Sequence, residues 1–247
     1  MKRVDAIVNK VFINSWERLT TSSTFLWKLK ARDFILKYVY RAFGRHINHK
    51  WNYDFCADSF NRSYYWKNYL KSMIFINNIL DSDLKQCLEI IDIGCGAAPA
   101  SAAFGTLFRE RKQVEIKVNL IDKSVRQIKL AQQFLTILQI DINSINTEVF
   151  QLNGKTFEHI VLFSFFICEQ NNQFIEELFL QRECFKAGFI VIDYNLTIKL
   201  LQDMFAKNGD KRLKVKQYKY LLNAQTRSVL NEEKDEEIWV NGCIFVP

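Results

Sequence analysis

Residues that interrupt regular structure are scarce in this chain of 247 residues, which has eight glycines and two prolines, one of them the last residue, Pro247. Because glycine and proline mark turns and loops, their scarcity predicts long regular elements with tight connections. At roughly 150 residues per domain, the chain holds one large domain or one domain with an extension. Such a chain buries on the order of 70–75% of its unfolded surface, so we expect it to fold without disulfides or a structural metal.

The cysteines and histidines form no metal or disulfide pattern. The six cysteines show no CxxC spacing, which fits buried thiols in a reducing compartment better than a disulfide framework. We therefore predict a cytoplasmic protein, although an organelle matrix would look the same. His46 and His49 are three residues apart and Cys56 follows seven residues later, but a fourth ligand at zinc spacing is missing. We predict no metal site.

Long hydrophobic runs are missing too. No window approaches the ~20 consecutive apolar residues of a membrane span, and the first residues carry charges and lack a small-residue cleavage site. With 49% hydrophobic and 25% charged residues, the chain is typical of a soluble globular protein. We expect neither a membrane partner nor a secretion signal.

The positive charge is concentrated in the first third of the chain. Residues 1–85 contain 15 Lys and Arg and 7 Asp and Glu, a net charge of +8, whereas the whole chain has +7. Aromatic residues are frequent in the same segment. We therefore predict a basic, aromatic-rich helical extension over residues 1–85 and a core domain over residues 86–247.

One predicted helix of the extension, between residues 24 and 45, has an apolar side and a basic side. Apolar residues recur there at helical spacing, and basic residues seven, four and four apart share another face. These cations either form a solvated helix face or contact nucleic-acid phosphates, with Tyr38 or a neighbouring aromatic available to stack on a base. Because acidic partners are scarce, we predict RNA binding by this basic row: Lys30, Lys37, Arg41 and Arg45.

Strands and helices alternate from residue 86 onwards. Short apolar runs typical of buried parallel strands are separated by helical patterns, one with Pro99 in its first turn and one capped by Ser124. The alternation predicts an α/β fold with a doubly wound, seven-stranded, mostly parallel sheet, whose ligands bind at the carboxyl ends of the strands. The predicted strands are 88–93, 114–122, 146–151, 159–165, 189–194, 215–222 and 237–245, with helices at 97–111, 124–138, 172–185 and 196–206.

The last two predicted strands are joined by a short acidic connection at 232–236. Strands joined so directly pair as an antiparallel hairpin. We therefore expect such a hairpin at one edge of the sheet.

A loop of small residues, Asp-Ile-Gly-Cys-Gly-Ala-Ala-Pro at 92–99, follows the first of these strands. Small residues let a ligand approach the backbone where a strand turns into a helix. A dinucleotide-binding loop would have its third glycine where Pro99 stands. A P-loop would continue with Gly-Lys and Ser or Thr, and this loop does not.

The loop resembles motif I of the class I S-adenosylmethionine-dependent methyltransferases, an acidic residue followed by Gly-x-Gly-x-Gly. Asp92, Gly94 and Gly96 match this motif, and Ala98 stands where the third glycine is commonest. The resemblance covers residues 86–247 and implies S-adenosylmethionine as the cofactor, with ribose hydroxyls donating to Asp122. The residues it implies for cofactor binding are Asp92, Gly94, Cys95, Gly96, Ala97, Asp122, Lys123, Asn153 and Ser164.

The substrate is less well marked. Relatives that methylate base amines usually carry Asn/Asp-Pro-Pro-aromatic after the fourth strand, and this sequence does not. Cys168 lacks the setting of a cytosine-C5 nucleophile and is interpreted as a buried thiol, which leaves Glu169 as the candidate general base. Methyl transfer needs little beyond in-line positioning, so a missing motif does not indicate inactivity. After the third strand, where the family often has an acid near the adenine amino group, the sequence has Gln151 and Asn153.

A basic helical extension ahead of such a core is similar in layout to ribosomal-RNA methyltransferases. We therefore predict a methyltransferase that acts on ribosomal or transfer RNA. Two alternatives stay open: a methyltransferase for a small molecule or a protein, and a degenerate methyltransferase fold that serves as an RNA-binding or assembly factor. The sequence gives no indication of the oligomeric state.

Overall fold

A computed structural model of the chain describes residues 2–24, 53–80, 89–152, 154–167, 170, 172–230 and 237–247. Several residues singled out from the sequence lie outside these ranges: the basic row Lys30, Lys37, Arg41 and Arg45, the candidate base Glu169, Asn153, Cys168, His46 and His49. None of the helices in the described ranges combines the length and the apolar character needed to span a bilayer.

The described strands form one eight-stranded sheet in the order β1-β7-β8-β6-β5-β2-β3-β4. The chain runs outward from the central strand β2 to β3 and β4, then returns to β5 and β6 on the other side, so the sheet is doubly wound. Only β8 is antiparallel to its neighbours, β6 and β7. The strands are β1 (Lys2–Arg3), β2 (Glu89–Ile93), β3 (Lys117–Ile121), β4 (Asp141–Asn146), β5 (Ile160–Ser164), β6 (Phe189–Asp193), β7 (Leu213–Leu221) and β8 (Glu237–Phe245).

Apart from the two-residue β1, which pairs in parallel with β7 at the edge, this is the predicted seven-stranded, mostly parallel sheet. The predicted antiparallel pairing of the last two strands is confirmed. The helices within the described ranges are α1 (Ala6–Ser22), α2 (Tyr53–Ile79), α3 (Pro99–Lys112), α4 (Val125–Ile137), α5 (Asn172–Leu180), α6 (Asn195–Lys207) and α7 (Ala224–Leu230).

Helices cover both faces of the sheet because side chains alternate along each strand. In β2, for example, Ile90 belongs to the core under α1 to α4, and Ile93 belongs to the core under α5 and α6. The predicted cap of α4 is confirmed, since Oγ of Ser124 accepts a hydrogen bond from the N–H of Gln127 at 3.2 Å. Pro99 is the first residue of α3, as predicted.

The helices α1 and α2, from the first 85 residues, pack into the same core as the sheet. The hydroxyl of Tyr69 in α2 donates to Oγ of Ser15 in α1 at 2.8 Å and lies 2.9 Å from Oγ1 of Thr106 in α3. Phe12 of α1 is fully buried beside the rings of Trp66 and Tyr69. The division of the chain at residue 86 stays a prediction, and the described helices of the extension share their core with the domain that follows.

The predicted third strand, 146–151, is wrong, because β4 covers Asp141–Asn146. Among the described strands, β4 lies at the edge of the sheet and pairs only with β3. Its side chains are mostly exposed, so its sequence lacks the apolar run of a buried strand. The strand was predicted too far along the chain because the segment after β4 contains the apolar residues Val149 and Phe150.

Two further differences concern helices. The helix predicted over 172–185 ends at Leu180, and a single 3₁₀ turn, Arg182–Cys184, follows it. The connection between the last two strands, for which no helix was predicted, also contains α7. Oδ1 of Asn223 accepts from the N–H of Thr226 at 2.7 Å and so caps the first turn of this short helix.

Candidate functional site

A cleft opens at the carboxyl ends of β2, β3 and β5, where a doubly wound sheet binds its ligands. Its lining brings together most of the residues predicted from the sequence for cofactor binding. They come from the glycine loop, from the segment after β3 and from the end of β5: Gly94, Cys95, Gly96, Ala97, Asp122, Lys123 and Ser164.

The glycine loop is held against β3 by backbone hydrogen bonds. The N–H groups of Gly94 and Cys95 both donate to the carbonyl of Ile121, at 2.8 and 3.3 Å. Gly94 and Gly96 have φ angles of +66° and +54°, in the left-handed region that glycine adopts without strain. The loop therefore turns tightly from β2 into α3.

The two glycines serve different purposes. A Cβ on Gly94 would collide with the ring of Phe166, so the close packing of that ring requires glycine. A Cβ on Gly96 would have no described atom nearer than Oε1 of Gln127 at 4.0 Å. Gly96 therefore leaves its backbone accessible from the cleft, as a closely approaching ligand requires.

Ala98 replaces the third glycine of the motif, and the backbone there has the conformation for which glycine is favoured. Its φ of +57° and ψ of +46° are left-handed, and it is the N-cap residue of α3 without a capping side chain. A left-handed alanine costs about 1–2 kcal/mol. The loop accepts this strain at a fully buried position.

The carboxyl group of Asp92 caps the first turn of α3 in place of a side chain at Ala98. Its Oδ2 accepts from Oγ of Ser101 at 2.6 Å, and the N–H of Ser101 hydrogen-bonds the same carboxyl group. Asp92 is fully buried, and its Oδ1 has no partner among the described residues. Desolvation by burial raises the pKa of Asp92 to about 7, against the lowering effect of the Ser101 hydrogen bonds. Asp92 is not part of the cleft lining, so its predicted contact with the cofactor stays a prediction.

Asp122 fixes the loop as well as facing the cleft. Its Oδ2 accepts from the N–H of Gly96 and its Oδ1 from the N–H of Ser124, both at 2.8 Å. Each carboxylate oxygen has two lone pairs, so these bonds leave Asp122 able to accept from ligand hydroxyls.

A polar face of α2 forms the opposite wall. Asn61, Tyr65 and Asn68 line the cleft from this helix, and Nδ2 of Asn61 donates to Oε1 of Gln127 in α4 at 2.7 Å. The extension therefore contributes directly to the candidate site.

The wall at the end of β5 is aromatic. Phe165 has a φ of +54°, held by a hydrogen bond from its N–H to the carbonyl of Ile192 at 2.8 Å. Its ring lies 5.8 Å from that of Tyr194, and the ammonium of Lys71 is 5.5 Å from the first ring and 5.8 Å from the second. Oγ of Ser164, next to these rings, is buried and has no hydrogen-bond partner in the described part of the chain.

No protein-family model and no curated protein matches this sequence. Solved structures are similar to it. A SAM-dependent methyltransferase from Leishmania major is 9% identical over 96% of this chain and 83% of its own, with a TM-score of 0.49. The plantazolicin methyltransferase BpumL, solved with SAH, is 12% identical over 97% and 98%, with a TM-score of 0.44. A putative RNA methyltransferase from Pyrococcus horikoshii is 13% identical over 73% and 83%, with a TM-score of 0.46.

The strand order decides the fold. The sheet is doubly wound as predicted, its glycine loop follows β2, and the antiparallel strand β8 lies between β6 and β7. The fold is that of the class I methyltransferases.

Sequence reasoning missed part of the cleft of this methyltransferase fold. Glu148, Val149 and Phe150 line it directly after β4. Because residues 146–151 were predicted as a strand, Glu148 was not considered as a cleft residue. Asn61, Tyr65 and Asn68 were also missed, although their spacing of four and three residues puts them on one helix face. Two asparagines and a tyrosine on one helix face were the available signal.

Proposed function

We propose that the protein is an S-adenosylmethionine-dependent methyltransferase and that its cofactor binds in this cleft. The observation that carries the proposal is the pairing of Gly96, whose backbone is accessible from the cleft, with Asp122, whose carboxylate lies beside it. This combination offers close backbone approach and an acceptor for hydroxyl groups in one place. The bound cofactor would supply an activated methyl group on its sulfonium.

The chain's own residues would hold the cofactor by matched donors and acceptors. Asp122 would accept from ribose hydroxyls, and Glu148 is an acceptor suited to an amino group on the adenine ring. Val149, with 70% of its surface exposed, and Phe150 provide apolar surface for a flat ring beside Glu148. Cys95, Ala97 and Lys123 would complete the site, because they line the same cleft.

The aromatic wall would receive the methyl acceptor. Phe165 and Phe166 lie at the carboxyl end of β5 and shield that part of the cleft from water, which favours a dry, oriented approach. Ser164 can hydrogen-bond a polar group there. Glu169 stays our proposed general base.

We propose that the acceptor is an RNA. The support is the net charge of +8 over residues 1–85, together with the half-exposed ring of Tyr194 and the cation Lys71 beside Phe165. Cations attract phosphates and exposed aromatic rings stack on unpaired bases. The basic row would contact phosphates while the core domain, residues 86–247, performs the transfer.

Calorimetric titration of the full chain with S-adenosylmethionine and S-adenosylhomocysteine tests the cofactor. We expect one site per chain, and binding that is lost when Gly96 is replaced by valine. Absence of binding to the wild-type chain at millimolar ligand would overturn the proposal.

Transfer of a tritiated methyl group from S-adenosylmethionine tests the substrate. Label in added ribosomal or transfer RNA supports the RNA proposal. Label that enters only protein or small molecules contradicts the RNA part and leaves a methyltransferase of another specificity. Cofactor binding with no label in any fraction indicates a degenerate fold.

A further inference from the structure

A buried amide in the cleft has an unused donor. Gln127 lies in the first turn of α4 and is 1% exposed. Its Nε2 is buried and has no hydrogen-bond partner among the described residues. A buried donor without an acceptor destabilises a protein, so such a group in a binding cleft points to an acceptor on the ligand.

The orientation of this amide is set by α2. Nδ2 of Asn61 donates to Oε1 of Gln127 at 2.7 Å, and both residues are buried. Because an amide has its oxygen and nitrogen on opposite sides, fixing Oε1 towards Asn61 directs Nε2 away from it. With Asn61 donating to Oε1, Nε2 is the end of the Gln127 amide that is left for a ligand.

The position of Gln127 indicates which part of the ligand it meets. Oε1 of Gln127 lies 4.0 Å from the place of a Cβ on Gly96, so the amide borders the point where the loop backbone faces the cleft. Asp122, which accepts from the N–H of Gly96, and Glu148, in the segment after β4, are acceptors that suit hydroxyl and amino groups. Gln127 offers a donor, and the N-terminus of α3 close by adds positive potential.

We propose that Nε2 of Gln127 donates a hydrogen bond to the carboxylate of the amino-acid part of S-adenosylmethionine, with Asn61 as its positioning residue. This inference rests on the proposed cofactor. It gives the N-terminal extension a direct part in cofactor selection, because Asn61 belongs to α2.

The test compares two ligands that differ in one part. S-Adenosylhomocysteine has the amino-acid part, and 5′-methylthioadenosine has the same nucleoside without it. We expect Gln127→Met to weaken S-adenosylhomocysteine binding by about 10- to 100-fold, the usual effect of losing a hydrogen bond to a charged group. Binding of 5′-methylthioadenosine should change less than about twofold. Gln132, exposed on the same helix, gives the matched control Gln132→Met, which should affect neither ligand.

A second variant tests the orientation of the amide. In Asn61→Asp the ionised carboxylate can only accept, so Gln127 must turn its NH₂ group towards it and present Oε1 to the ligand. We expect a loss of S-adenosylhomocysteine affinity at least as large as in Gln127→Met, again without loss of 5′-methylthioadenosine. Asn61→Leu keeps the test valid if the aspartate variant fails to fold by circular dichroism, with a smaller loss expected because the amide is no longer oriented.

Each outcome decides the inference. A selective loss for the amino-acid ligand supports it. Equal losses for both ligands, or no loss in Gln127→Met, overturn it while the cofactor proposal stands. If the wild-type chain binds neither ligand, the cofactor proposal itself fails and the inference with it.

Discussion

The backbone N–H of Gly96 donates to Oδ2 of Asp122 at 2.8 Å, which joins the loop after β2 to the end of β3. The other oxygen of Asp122 accepts from the N–H of Ser124, the N-cap residue of α4. One carboxylate therefore sets the distance between the two segments that form the floor of the cleft. Loop geometry and ligand binding depend on the same side chain.

Replacing Asp122 by alanine should therefore weaken both properties. Two N–H groups lose their acceptor and ligand hydroxyls lose theirs, so we expect about 1–3 kcal/mol less stability and a similar loss of S-adenosylhomocysteine binding. Urea unfolding and calorimetric titration measure the two effects. Asp203→Ala, at an exposed acid on α6, should change neither, and unchanged affinity in Asp122→Ala would contradict the proposed ribose contact.

The two loop glycines should respond differently to alanine. Gly94→Ala forces the new methyl group against the Phe166 ring, so we expect a loss of roughly 1–3 kcal/mol from overpacking in addition to about 1 kcal/mol of backbone strain. Gly96→Ala should cost about the strain alone and mainly reduce cofactor affinity. Phe166→Ala should recover part of the stability lost in Gly94→Ala, as seen in the urea midpoint. Equal destabilisation by the two alanines would contradict this assignment.

The buried carboxyl of Asp92 should make stability fall as the pH rises. Burial raises its pKa to about 7 in the folded chain, and in the unfolded chain the pKa is about 4. Between these values the folded state binds more protons, so the free energy of unfolding decreases from about pH 4 to about pH 7 and stays low above it. In Asp92→Asn the free energy of unfolding should fall less over this pH range, by up to about 4 kcal/mol. Urea unfolding at several pH values, with the variant compared to the wild type, measures it, and parallel pH profiles would contradict it.

Removal of the Tyr69 hydroxyl should test how the extension and the core are joined. Tyr69→Phe removes the bonds to Ser15 and Thr106, so we expect a loss of about 1 kcal/mol. Because α1, α2 and the sheet share one core, the chain should still unfold in a single transition, seen equally by fluorescence and circular dichroism. Tyr194→Phe, at a half-exposed ring, should have little effect. Two separate transitions would show that residues 1–85 fold independently of the core.

The basic row should determine the salt dependence of RNA binding. Replacing Lys30, Lys37, Arg41 and Arg45 by glutamine should lower the slope of log affinity against log salt by about three, at roughly 0.7–0.9 per phosphate contact. Stability should change by no more than about 0.5 kcal/mol, and affinity for S-adenosylhomocysteine should stay constant. A wild-type slope in the variant would mean that the row is a solvated helix face.

The sequence by itself determined the strand, glycine loop and helix over residues 89–112 and the cap at Ser124. These features are local: an apolar run, two glycines with positive φ, a proline at the start of a helix and a serine before the next one each act within a few residues. Most of the predicted cofactor residues line one cleft because parallel strands end at the same edge of a sheet.

Only the tertiary structure decided the rest of the cleft. The strand β4 lies at the edge of the described sheet, paired with β3, and its side chains are mostly exposed. Its sequence therefore has no apolar run, and its position was predicted wrongly. Because Glu148 fell inside the wrongly placed strand, it was not recognised as a residue of the cleft. The contact between Asn61 and Gln127 joins residues 66 positions apart, and no spacing rule connects two polar residues on separate helices. Local sequence patterns show where the backbone must turn. The residues on the far wall of the cleft depend instead on which distant helix, here α2, packs across its opening.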